Sequence, residues 1–553
     1  MFILLIPNLY FFFINGNLHF FIFSLITLIY LFSILKTTKY LFILFPLFFL
    51  VPLYVYYISI YGVPISEQIL AIVLETDFQE AWNFIGYQIY FYIFIFLICC
   101  VGCIFVLYRN YKCPWIWSHR SRTWVFWAIT LYFLIAIVAN AQLVTELEEN
   151  LSDEQNNFLI NEKNDFLQEL KNTYPLGLFI SVYDLIKEQE KINKAFDGNQ
   201  KFTFNAKMSR NEDKNIKKVY ILVIGETSRR NNWQLNGYER QTNPLLSQQK
   251  NLVNFSNMLS ISSATRSSIP MMLTRKPAEQ VYQFVFSEKS IISAYKEAGF
   301  KTYWLSTQQK FGPHDTSTSV FAKEADSITF MNTANYLDQG GVDSILIPSL
   351  EKIIKKSEMK QFIVIHTLGS HYNYAYRYPK EYNIYKPSLN NLEKYSLQSK
   401  KFKNELINSY DNSILFTDYV LNGFIEILKK QQNTESFLLY SSDHGEDLFD
   451  NNCEKSGHGL ATQFNFEIAS FAWYSDKFKE NYGEKVENLF QNHDRKLNQT
   501  AIFPTLIDAS NIEIPADKLD RSILKKYKAY PRIVMGKEDY DQASFDGVCN
   551  EIQ

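Results

Sequence analysis

Polar and apolar positions along the chain follow two regimes, which change near residue 141. Before that point five long apolar stretches follow one another, at 2–14, 19–35, 40–61, 84–108 and 124–141, with short polar turns between them. A membrane-crossing helix needs ~20 mainly apolar residues, so the pattern predicts an N-terminal bundle of about five spanning helices, the first short and carrying Pro7. Residues 142–215 are rich in Glu, Asn, Lys and Gln, with Leu159, Phe166, Leu167 and Leu170 at helical spacing. They read as a helical connector near the membrane surface, with 191–215 reading almost as well as a solvated linker. From Lys217 onward apolar strands alternate with helices: "VYILVIGE", "SIISAYKEAGF", "KTYWLST", "SLEKIIKKSE", "QFIVIHTLGSH", "SYDNSILFTDYVLNGFIEILKK" and "SFLLYSSDHGED". Such alternation predicts an α/β domain over 216–553 whose central sheet is mostly parallel, with helices on both faces.

Charge orients the apolar part. The loop after the fourth stretch holds Arg109, Lys112, Arg120 and Arg122, and the turn after the second holds Lys36 and Lys39. Residues 62–83 hold Glu67, Glu75, Asp77 and Glu80 and no Lys or Arg. The positive-inside rule puts the basic loops in the cytoplasm and everything after residue 141 on the far side of the membrane. The apolar start has no basic segment before it and no clear small-residue cleavage site after it, so it reads as an uncleaved helix. A formal net charge of -2 argues against a nucleic-acid partner. Of six cysteines, Cys99, Cys100 and Cys103 fall in the fourth stretch and Cys113 in a cytoplasmic loop. Only Cys453 and Cys549 face the oxidising side; a disulfide and two free thiols are both open, because spacing does not establish geometry.

Open α/β sheets gather ligands beyond the C-terminal ends of their strands. Here those ends deliver Glu226, His371, and Asp443 with His444. Two carboxylates and an imidazole suit Zn²⁺ or Mn²⁺ with one position left for a nucleophile or substrate oxygen. The Asp-His pair alone reads more often as a surface or capping pair; convergence with Glu226 favours the metal. Two hydroxyl sources stand near. Thr227 adjoins Glu226 where a helix should begin and reads as its cap. The loop "SISSATRSSIPMMLTR" offers either ordinary capping or a nucleophile, which a base or a metal must activate.

Four ordered motifs, "GETSRRNNWQLNGYERQTNPLL" (225–246), the Ser/Thr loop ending in Pro270, "HTLGSH" (366–371) and "SDHGED" followed by "GHG" (457–459), resemble the membrane-bound phosphoethanolamine transferases of the alkaline phosphatase and sulfatase superfamily, which modify lipid A or lipooligosaccharide core. The resemblance implies that Thr265 is the nucleophile and that Glu226, Asp443 and His444 hold a catalytic zinc with it, manganese being the alternative and a second zinc a further expectation. It implies that His371 and His458 contact the transferred group or the additional zinc. His366 becomes a supporting, substrate-side neighbour, although a lone strand histidine reads as well as a hydrogen-bonded core residue. Lys310 becomes a phosphate contact, against the plainer reading of a solvated lysine. "LETDFQEAW" resembles the lipid-proximal segment, which puts Thr76 and Glu80 at the headgroup, with Ile72 where lipid A-modifying members often carry asparagine. Ile261 and Met271 stand where lipid A enzymes flank the nucleophile loop with a disulfide, and Arg266 follows Thr265 directly. Together with "STQQ" and "HDTS", these departures lean toward core-sugar acceptors.

The implied reaction takes phosphoethanolamine from phosphatidylethanolamine, forms a covalent phosphoethanolamine-threonine, releases diacylglycerol and delivers the group to a lipid A phosphate or core sugar, at a bacterial inner membrane with the catalytic domain in the periplasm. A glycerol-phosphate transferase of the lipoteichoic acid synthase type is the rival enzyme, separated by its product. A sulfatase is disfavoured because "SIPMM" (268–272) does not meet the Cys or Ser-x-Pro-x-Arg pattern. A catalytically inactive, membrane-anchored lipid-binding protein is the non-enzymatic rival, and a metal assay with a turnover test separates it.

Overall fold

The computed structural model describes residues 2–15, 18–34, 37–61, 64–65, 70, 73, 88–113, 117–150, 170–199, 201–209, 215–283, 286–309, 317–332, 342–371, 373–392, 395–515 and 517–553. Contacts divide the chain into two compact units, Met1–Leu74 with Tyr87–Gln189, and Glu190–Gln553.

The first unit is helical: α1 (Phe2–Asn15), α2 (His19–Ile34), α3 (Thr37–Tyr61), α4 (Gln88–Lys112), α5 (Ser121–Asn150) and α6 (Leu176–Asn199). The first five lie on the five apolar stretches. By length and composition, one helix among the described residues, over Tyr90–Lys112, is long and apolar enough to cross a membrane, while Ile3–Ile14, His19–Ile34, Leu47–Ser59 and Ser121–Ala136 are shorter apolar helices. Polar groups in this apolar setting are spent on backbone. Asn8 Nδ2 and Ser24 Oγ donate to the Tyr174 carbonyl at 2.7 and 2.5 Å. Arg122 Nε and its neighbouring nitrogen donate to the carbonyls of Ser33 and Ile34 at 2.7 and 3.0 Å, closing the C-terminal end of α2, where carbonyls lack helical partners and a cation is favoured.

The second unit is built on seven strands: β1 (Lys217–Gly225), β2 (Leu252–Asn254), β3 (Lys301–Gln309), β4 (Ser327–Asn332), β5 (Lys360–His366), β6 (Thr434–Ser442) and β7 (Ser470–Tyr474), in the spatial order β2-β7-β6-β1-β5-β3-β4. β1 is apolar almost throughout because both sheet faces are covered. Tyr220, Leu222 and Ile224 enter one core, with the helices α7 (Thr265–Leu273) and α10 (Ile502–Ala509), and Val219, Ile221 and Val223 enter the other, with α8 (Leu346–Ile354) and α9 (Lys403–Lys429). Pairings from β6 through β1, β5 and β3 to β4 are parallel, whereas β7 is antiparallel to both β6 and β2. The sheet is therefore mixed rather than mostly parallel. The cause is the segment between β6 and β7: instead of crossing back along a face, the chain folds over the strand tops with Asp443, His444, Glu446 and His458, then re-enters from that same end.

Candidate metal and nucleophile site

Register fixes the site. Gly225 pairs with Ser442 and Ile224 with His366, so Glu226, Asp443 and the turn after His366 emerge side by side from three adjacent parallel strands. Glu226, Asp443 and His444 are all buried, and one ligand atom from each lies within 4.8 Å of the others. His444 Nε2 is 3.4 Å from Glu226 Oε1 and from Asp443 Oδ2. The ring is fixed by its other nitrogen, 2.8 Å from the Gly445 carbonyl. Thr265, the first residue of α7, reaches the same point: its hydroxyl is 3.3 and 3.4 Å from the two Glu226 oxygens and 3.2 Å from His444 Nε2. Ala264 occupies the N-cap of α7 and gives no side-chain oxygen to its first N–H groups, so the positive end of the helix faces this hydroxyl.

Thr227 does not cap a helix as the sequence suggested. It adopts a left-handed conformation, φ 57°, and the next helical turn, Arg230–Asn232, has no side-chain cap. Its hydroxyl donates to Glu226 Oε1 at 2.8 Å and its N–H donates to Asp443 Oδ1 at 3.0 Å. A β-branched residue in this region is strained by ~1–3 kcal/mol, and the strained turn points two donors at the Glu226 and Asp443 carboxylates.

The donor set fits a divalent cation. Asp443 Oδ2 is buried and accepts no hydrogen bond from the described residues. Burial opposes charge on Glu226, yet the hydrogen bond and charge of His444 hold its carboxyl well below the usual carboxylate range. Burial and then the Glu226 charge push Asp443 up to about 7. Burial also opposes charge on His444, and the two carboxylates nevertheless raise it to about 10. One imidazolium cannot offset two buried carboxylates; a dication bound by neutral imidazole and both carboxylates can.

Around this core lie other expected residues. The His458 ring sits 4.6 Å from His444 and 5.7 Å from His371, centroid to centroid. His366 is buried and meets Trp304 edge-on at 6.1 Å, with neither ring nitrogen hydrogen-bonded among the described residues; burial lowers its imidazole to about 4 against the opposing Glu226 charge. Lys310, Thr76, Glu80 and Ile72 lie outside the described residues. Cys453 and Cys549 are joined in a disulfide. It ties the C-terminal segment, which also pairs Ile552 N with the Ala461 carbonyl at 2.8 Å, to the loop that carries His458.

Sequence reasoning passed over several groups here. Glu446, two residues beyond His444, lies 3.2 Å from His458 Nδ1 and accepts from Tyr374 Oη at 2.8 Å. Ligand atoms of His444, Glu446 and His458 form a second group within 4.8 Å. Gln308 Nε2 donates to Glu226 Oε2 at 3.3 Å and to the Thr367 carbonyl at 2.9 Å. Asp343 accepts from the N–H groups of Leu368 and Gly369 at 2.9 and 2.8 Å, shaping the turn that ends in His371. Glu446 was visible as a member of "SDHGED" and Gln308 as a member of "STQQ", though neither motif gave these residues this role; nothing local marked Asp343.

Residues 218–512, more than half of the chain, match the sulfatase family model. The chain belongs to the sulfatase family. Residues 20–150 of this sulfatase-family chain match a second model, that of phosphoethanolamine transferase EptA/EptB. Among curated relatives, phosphoethanolamine transferase EptC of Escherichia coli strain K12 is 23% identical over 475 residues, covering 85% of this chain and 79% of that protein. Kdo(2)-lipid A phosphoethanolamine 7''-transferase of the same strain is 26% identical over 450 residues, covering 77% and 74%. The solved C-terminal periplasmic domain of Escherichia coli EptC, in complex with Zn, superposes with a TM-score of 0.54 at 25% identity, over 63% of this chain and 98% of that domain. The integral membrane protein lipooligosaccharide phosphoethanolamine transferase A of Neisseria meningitidis gives 0.66 at 19% identity over 93% of each chain, a likeness of fold.

Proposed function

We propose that the protein transfers phosphoethanolamine from phosphatidylethanolamine to lipid A or lipooligosaccharide core through a covalent intermediate on Thr265. The observation that carries this reading is the Thr265 hydroxyl, held 3.2–3.4 Å from Glu226 and His444 at an uncapped helix start, in a chain whose two parts match sulfatases and EptA/EptB transferases. Glu226, Asp443, His444 and Thr265 would hold the zinc, which when bound lowers the pKa of the nucleophile and draws charge from the phosphoryl oxygens. Thr265 Oγ1 attacks phosphorus, its bond to phosphorus forms, and the bond from phosphorus to the diacylglycerol oxygen breaks. His371, which burial keeps neutral, or His458 takes the proton that Thr265 Oγ1 loses and passes it to the leaving diacylglycerol oxygen. An acceptor oxygen then attacks phosphorus, the bond from phosphorus to Thr265 Oγ1 breaks, and the acceptor's proton passes through the same histidine to restore the hydroxyl. Hydrogen bonds to Thr227 and Gln308 hold Glu226 still during both steps, as electrostatic catalysis requires.

The apolar helices are proposed as five spans, with basic loops cytoplasmic and the residues from 216 onward in the periplasm; 142–215 is the connector. Such anchoring keeps the site near two lipid substrates and raises the frequency of productive encounter. The test is the purified full chain with zinc, phosphatidylethanolamine and lipooligosaccharide. Diacylglycerol release with phosphoethanolamine on the acceptor supports the reading; glycerol phosphate on the acceptor, or no transfer at all, overturns it.

A further inference from the structure

Thr265 and Asp443 arrive from segments far apart in sequence, and the proposed zinc site needs both at one point. Something must fix the spacing between the Ser/Thr loop and the top of β6. Gln499 lies between them. It is fully buried, in the helical turn Gln499–Ala501 that opens α10.

Its amide Nε2 donates to the Ser442 carbonyl at 3.1 Å and to the Asp443 carbonyl at 2.6 Å. Its Oε1 accepts the Ile261 N–H at 3.0 Å and lies 3.2 Å from Ser260 Oγ. A primary amide has two donors and two acceptor positions; both donors and the acceptor taken by Ile261 point at the two segments that carry Asp443 and Thr265. Two carbonyls on one side and a backbone N–H on the other leave no ambiguity about which end is nitrogen. Ser260 Oγ lies 2.6 Å from the Asp443 carbonyl, so the two segments also meet directly beside the amide. The platform beneath is rigid. Leu497 and Asn498 pair in parallel with Met258 and Leu259, just ahead of Ser260, Asn498 Oδ1 accepts from Thr500 N, and Ile502, Phe503 and Leu506 anchor α10 in the core.

We propose that Gln499 is a positioning residue that sets the spacing between the Asp443 strand end and the Thr265 loop, and with it the metal affinity and turnover of the site. The proposal rests on the zinc and threonine roles given above. Groups that orient metal ligands without touching the metal commonly change affinity or activity ~10–100-fold when removed.

The test compares Gln499→Met and Gln499→Glu with the wild-type full chain. Methionine keeps length and volume and removes the bonds to Ser442, Asp443 and Ile261; glutamate keeps the acceptor half toward Ile261 and turns the donor half into an oxygen facing two carbonyls. Zinc dissociation constants come from competition with a chromogenic chelator, donor turnover from diacylglycerol release, and folding from thermal melting. Expected are zinc binding ~10–100-fold weaker, kcat lower in proportion at saturating zinc, and an unchanged KM for phosphatidylethanolamine, with Gln499→Glu at least as impaired as Gln499→Met. Variants that melt earlier but bind zinc and turn over like wild type per folded molecule overturn the proposal and leave Gln499 a packing residue. If the wild type binds zinc yet transfers nothing, the transferase reading fails while the zinc comparison still decides the role of Gln499. A wild type that binds no zinc overturns both.

Discussion

Gly369→Ala perturbs the site without replacing any of the side chains proposed to hold the metal. Gly369 has φ +50° in the turn after His366, and a Cβ built there would fall 2.6 Å from the Glu226 carbonyl oxygen and 2.9 Å from the Glu226 nitrogen. These are backbone atoms and cannot swing away. Ordinary contact begins at 3.4 Å, so the chain at Glu226 must retreat by about 0.8 Å. The left-handed conformation adds ~1–2 kcal/mol of strain for alanine. A misplacement near 1 Å at a catalytic constellation costs ~100-fold in rate. The assay is diacylglycerol release by the full chain in detergent with zinc supplied, alongside a zinc titration and a thermal melt. The expected result is a ~100-fold loss of kcat with weaker zinc binding in a protein that remains folded. Wild-type turnover and wild-type zinc affinity in Gly369→Ala would refute the claim that Glu226 is held as a ligand by close packing of this turn.

Removing the disulfide with Cys453→Ser and Cys549→Ser, across a separation of 96 residues, should lower stability by ~2–4 kcal/mol in urea melts and make the protein indifferent to dithiothreitol. Asp418 is buried on α9 and accepts from the N–H groups of Leu245 and Leu246 at 2.9 Å each, and burial raises its carboxyl to about 7. The folded state then holds a proton that the unfolded state releases near pH 4, so this contribution is full below pH ~4 and is lost as pH rises through about 7. Asp418→Asn should flatten stability against pH between those limits, and an unchanged slope would contradict the assignment.

Much of the site was legible because strands buried on both faces leave few reasons for a charged residue at their ends. Glu226, Asp443 and His444 stood out on that ground, and the shared tops of parallel strands brought them together. Thr265 was one hydroxyl among several until the family resemblance singled it out. What sequence could not carry was backbone conformation and distant partnership. The left-handed Thr227 contradicts its capping pattern because tertiary donors to Glu226 and Asp443 outweigh local preference. Asp343 and Gln499 reach the site from turns far along the chain with no local pattern to mark them, and "STQQ" pointed to Gln308 without showing that it would bond Glu226. The reversed β7 escaped for a related reason: alternation of strands and helices says nothing about which end of the sheet a long excursion returns to. The pairing of Cys453 with Cys549 needed the C-terminal segment laid against the loop of His458.

The central claim is that Thr265 carries the phosphoryl group between two lipids. Quenching the zinc-supplied full chain during turnover with phosphatidylethanolamine, followed by peptide mass spectrometry, tests it directly. Phosphoethanolamine on Thr265, absent from Thr265→Ala along with all turnover, is the predicted result. Turnover that persists in Thr265→Ala, or the modification found on a different residue of the wild type, would contradict it.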